Sequence, residues 1–171
     1  MTHERMIRMK KGLALLMVLV FAFSGTALAD LNAEITEKAE LFNQSARELG
    51  MPKVEPGDYT VIDDGKYTRY SYTLSNGLEL AFLTADGNTF FASMVRFGQE
   101  DALADFFGTC IAAAFAMQGQ DVNASDVHIG IMQEFFMARN NTDYADSTVG
   151  PFTLSISRHT KGYLFLFYRK D

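Results

Sequence analysis

Hydrophobic positions recur along this chain in two different periods, and the boundaries between them divide it into elements. From Asp30 to Gly50 the apolar residues Leu31, Ile35, Ala39, Phe42, Ala46 and Leu49 return every three or four positions, the stripe of an amphipathic helix with a charged opposite face. Gly50 and Pro52 end it, since glycine takes the left-handed cap and proline cannot continue the helix.

The period then shortens to two. Asp64-Gly65, Asn76-Gly77 and Asp86-Gly87 are hairpin dipeptides. They delimit a meander of four antiparallel strands at about Tyr59–Asp63, Lys66–Ser75, Leu78–Ala85 and Asn88–Phe97. With each dipeptide as the whole loop, Tyr59 lies opposite Tyr70, Tyr72 opposite Ala81, and Ala81 opposite Ala92. One face then carries Tyr59, Val61, Tyr70, Tyr72, Leu74, Ala81, Leu83, Phe90, Ala92 and Met94, with Glu79 among them. The other carries Tyr67, Arg69, Ser71, Leu80, Phe82, Ser93, Val95 and Phe97. Neither face is cleanly polar, so both need cover, at least in part.

Beyond Gly98 the pattern is helical again. Glu100, Asp101 and Asp105 fall in the first turns, where carboxylates favour a helix amino end. Phe106 to Met117 carries no charge. A bulky line of Leu103, Phe107, Ile111 and Phe115 runs beside a small line of Ala104, Gly108, Ala112 and Ala116, which predicts a helix covered on nearly every side. A third helix is expected over Ser125–Arg139, with Ser125 as N-cap and Glu134 on its solvated side. Asn140 to Val149 reads as a loop, and Phe152–Arg158 with Tyr163–Arg169 as a final hairpin. The order α-β-β-β-β-α-α-β-β defines an α+β fold, an antiparallel sheet with helices packed mainly on one face. The local pattern allows the last hairpin to extend the sheet at an edge or to close it partway into a barrel.

The start of the chain changes the picture of its compartment. Arg5, Arg8, Lys10 and Lys11 against Glu4 precede a twelve-residue apolar run, Gly12 to Phe23, too short to cross a bilayer as a helix. Small Ala27 and Ala29 then occupy A-x-A positions. The expectation is a signal peptide over residues 1–29, cleaved between Ala29 and Asp30, and a single exported domain over 30–171, periplasmic or extracellular in a bacterium. With no cysteine near that boundary, no stable membrane anchor is expected after cleavage.

The mature part holds 11 Lys and Arg against 20 Asp and Glu, a formal charge of −9. Nucleic acid is a poor partner for such a surface. Cys110 is the only cysteine, so no internal disulfide is available, and its neighbours FFGTCIAAAF predict a buried thiol. His128 and His159 stand outside metal-ligand spacings, and no nucleophile elbow or phosphate-cradling loop is present. No cofactor is expected. The Asn-x-Ser/Thr triplets at Asn43, Asn123 and Asn140 matter only in a glycosylating pathway.

What remains is surface. Tyr59, Tyr70 and Tyr72, with Glu79, form a candidate binding surface, since tyrosine suits sites with one apolar and one wet side. The expected function is non-enzymatic binding of a protein partner or a second copy, through a sheet face or the small-residue helix stripe. The alternatives are a carrier of a small apolar ligand, and a hydrolase with paired carboxylates or with Cys110 beside His128.

Overall fold

In the computed structural model the described residues are 30–85, 89–97, 103–118, 123–140, 146–159 and 162–169. The segment read as a signal peptide with Ala29, the Asp86-Gly87 dipeptide, and Glu100 and Asp101 lie outside them. The compact body is Ile35–Asp171.

Helix α1 occupies residues 30–48, and Ile35, Ala39, Phe42 and Ala46 of its stripe are fully buried. Its end is built as the sequence requires. Gly50 takes a φ of 70°, Met51 N–H donates to the Ala46 carbonyl at 2.7 Å and Gly50 N–H to that of Arg47 at 3.3 Å. This paired reversal satisfies two otherwise orphaned carbonyls and aims Met51 back at the fold.

The meander follows as β1 (Thr60–Asp63), β2 (Thr68–Thr73), β3 (Glu79–Ala85) and β4 (Thr89–Phe97). Next come α2 (Leu103–Gln118) and α3 (Ala124–Arg139), then β5 (Ser147–Val149), β6 (Phe152–His159) and β7 (Gly162–Arg169). β5 is an additional short strand inside the stretch read as loop. The N-cap of α3 is Asn123 rather than Ser125: its side chain accepts the Ser125 N–H at 3.0 Å.

All seven strands form one antiparallel sheet in the order β1-β2-β3-β4-β7-β6-β5. The C-terminal hairpin thus extends the meander, β7 lying beside β4, and β1 and β5 are the two edges. The fold is α+β in the expected element order.

The pairing register differs from the sequence expectation, for a reason visible in the turns. Asp64 receives the Lys66 and Tyr67 N–H groups at 3.0 and 2.8 Å, which lengthens the first loop to four residues and sets Val61, not Tyr59, opposite Tyr70. Those two bonds also hold the exposed Asp64 carboxyl below its ordinary pKa.

In the second turn Leu74 N–H donates to the Leu78 carbonyl, so three residues, Ser75, Asn76 and Gly77, make the loop. Tyr72 then pairs with Leu80 instead of Ala81. A slip of one residue exchanges the faces of a strand. Leu80 and Phe82 join Tyr70 and Tyr72, while Ala81 and Leu83 go to the other side. In β4, Ser93, Val95 and Phe97 face with Leu80 and Phe82. A bulge near Phe91 returns Phe90 to the same side, where its ring lies 5.5 Å from Tyr70 and 6.4 Å from Phe82.

The helices pack on this aromatic face. Ser93 Oγ donates to the Ala113 carbonyl of α2 at 3.1 Å, and the Phe107 and Phe135 rings meet edge to face at 4.8 Å between α2 and α3. Gly130 of α3 lies over Val149 and Leu154, which lets the helix sit close to β5 and β6. The small line on α2 is consumed inside the body except at exposed Ala104: a Cβ at Gly108 would fall 2.5 Å from Met51 Sδ, and Ala112 and Ala116 are fully buried.

Candidate functional site

The three tyrosines do assemble. Tyr59 stands edge to face on Tyr70 at 5.6 Å and on Tyr72 at 5.7 Å. Tyr70 and Tyr72 are buried, and the Tyr72 hydroxyl donates to the Pro56 carbonyl at 3.0 Å. Burial raises both phenol pKa values, that of Tyr72 strongly, so both rings are neutral. Tyr59, half-buried, roofs them.

Glu79 is separated from this cluster by the one-residue slip. It lies on the opposite face, across from Thr73 and Arg96, and accepts the Ser71 hydroxyl at 3.1 Å. Asp30 is exposed at the start of α1.

The other candidate groups are dispersed as well. Cys110 is fully buried on α2, which pushes its thiol pKa well up, whereas His128 is exposed on α3. A neutral, inaccessible thiol is a poor nucleophile. Among the described residues no three of His, Cys, Asp and Glu come together as a metal site.

Glu134 corrects the expectation of a solvated position. It is 2% exposed, tucked between α3 and β5, and accepts the Ser147 hydroxyl at 2.7 Å. Burial raises its pKa, the neighbouring Asp146 adds to this, and the Ser147 hydroxyl and N–H oppose it. A carboxyl whose folded pKa exceeds its unfolded value contributes stability below the unfolded value and loses it as pH rises through the folded one. Glu134→Gln keeps the acceptor for Ser147 without the charge. The variant is therefore expected to gain on wild type in denaturation midpoint between pH 4 and pH 7.5; a difference that is flat across this range would refute the assignment.

The concave site is elsewhere, between helices. α2 supplies its floor from Ile111 and Phe115, both half-buried. α1 and the turn after it give one wall, with Leu41 and Leu49 apolar and Gln44, Ser45 and Glu48 polar, and α3 gives the other through Ala124 and His128. The groove encloses about 490 Å3. Along α1 it runs from Leu41 to Leu49, about 12 Å at ~1.5 Å per residue.

Sequence reasoning treated Ile111 and Phe115 as core and left Leu41 off the stripe. The signal that could have found the groove was the charge-free run of α2, too apolar all round for one sheet to cover. The two walls come from segments some eighty residues apart, so no local motif could announce it.

No family model, no curated protein and no solved structure matches the chain.

Proposed function

We propose that this chain is an exported binding domain that carries a small apolar ligand in the groove between α1, α2 and α3. The export half of the reading rests on the basic start, the short apolar run and the Ala27-Leu28-Ala29 site.

One observation supports the binding half: a concavity of about 490 Å3 with an apolar floor and a few polar wall groups. Small-molecule sites range over roughly 300–1,000 Å3 and have this composition. With Gly108 already filled by Met51, the small-residue stripe of α2 supports a partner less well than the groove does.

Native mass spectrometry of gently purified protein is expected to show an added small mass that denaturation releases. Phe115→Glu, which sets a charge on the groove floor, should weaken its retention at least about tenfold while the far-ultraviolet circular dichroism stays unchanged. Bare protein in repeated preparations would overturn the reading.

A second reading uses the sheet face away from α2 and α3. Leu83 of β3 and Leu164 and Leu166 of β7 are half-buried there, flanking β4. It supports contact with a protein partner or a second copy, and light scattering at high concentration separates a dimer from a monomer.

A further inference from the structure

Accepting the groove as a small-molecule site, we infer that it selects apolar ligands bearing a cationic head over those bearing a carboxylate, with Glu48 as the selecting residue.

Among the described residues Glu48 is the one carboxylate on the groove wall, and no lysine or arginine lines it. Its side chain makes no hydrogen bond or ion pair with another described residue. The adjacent Arg47 does not line the groove but an adjoining hollow with Glu40 and Asn43, which Gln44 and Glu48 share with the groove. Glu48 also stands in the last turn of α1, where the carboxyl end of a helix carries partial negative charge. Two features of the facing wall oppose it, the His128 side chain and the amino end of α3 at Ala124. There the Asn123 cap and Asp126 in the first turn supply offsetting negative character.

The magnitude follows from the exposure of Glu48. A single solvent-exposed charge pair is worth roughly 0.2–1 kcal/mol, or about one and a half to fivefold in affinity. A cationic head gains that attraction and an anionic head meets the corresponding repulsion, so the two should differ by about tenfold with a neutral head between them. The preference must shrink as salt is added, because exposed charges are screened over about 10 Å at 0.1 M.

The test uses three probes with one apolar body: octylammonium, octanol and octanoate. Each is titrated into 15N-labelled protein, and amide shifts of Ile111, Phe115 and Ala124 report the groove. Octylammonium is expected to bind about tenfold more tightly than octanoate at low salt, with octanol intermediate. Glu48→Gln should bring all three within about twofold, while Glu40→Gln, outside the groove, leaves the ratio unchanged. Octanoate binding as tightly as octylammonium, or a ratio that survives Glu48→Gln, overturns the charge selectivity and leaves the groove reading standing. If none of the three moves the groove amides, both fall together.

Discussion

Phe82→Ala is expected to cost the fold about 3–5 kcal/mol, while Leu83→Ala one residue along costs about 1–2 kcal/mol. Phe82 is fully buried beneath the helices. Its ring meets Tyr72 at 6.3 Å and Phe90 at 6.4 Å, both near perpendicular. Truncation therefore removes the transfer energy of the ring, leaves a cavity, and breaks two edge-to-face contacts worth about 0.5–1.5 kcal/mol each. Leu83 points to the other face and is half-buried, so less is lost and more is replaced by water.

The pair is chosen because the register read from the hairpin dipeptides expects the reverse order, with Leu83 beside the tyrosines and Phe82 away from them. Chemical denaturation of both variants decides. If Leu83→Ala proves the more damaging, the three-residue loop at Ser75–Gly77 is wrong.

That one residue marks where local patterns stop being sufficient. Helix α1, its glycine cap, the strand centres and the charge-free run of α2 were all legible, because each depends on periodicity or on a backbone angle that few residues tolerate. Asn76-Gly77 correctly located a turn and Gly77 adopts the expected positive φ of 80°. The dipeptide does not state whether two or three residues form the loop, and that choice reverses which side chains are buried. The bulge near Phe91 then restores Phe90 to the aromatic face, an adjustment no alternation of residue types encodes.

Glu134 shows the same limit on a helix. Its own charge reads as solvated, and only the return of β5 against α3 buries it. The candidate site suffers most, since its walls are distant in sequence. The tyrosine cluster was foreseen as a group, and its two inner members prove to be core.

Asn43→Ala is the second substitution with a large expected effect, about 2–4 kcal/mol, although it removes only a small polar side chain. Asn43 Nδ2 donates to the Val54 carbonyl at 2.7 Å, and Asn43 Oδ1 accepts the Val54 N–H at 2.8 Å. The amide thus pairs with both backbone groups of one residue, as a neighbouring strand would. Val54 is 7% exposed, so alanine at 43 leaves a buried donor and a buried acceptor unsatisfied, each costing about 1–3 kcal/mol.

The damage should be local as well as global. The segment from Met51 to Tyr59 has no ladder of its own, and it carries Met51, which fills the space over Gly108, and the Pro56 carbonyl that holds Tyr72. Asn43→Asp offers a control, because it keeps the acceptor for Val54 N–H but sets a carboxylate against the Val54 carbonyl; at neutral pH it should be destabilised nearly as much. Hydrogen exchange is the sharper measurement. In wild type the Val54 amide should exchange with the slow core amides, and in Asn43→Ala it should become faster than theirs. A Val54 amide equally protected in both proteins would show that packing alone, without the Asn43 clamp, seats this segment.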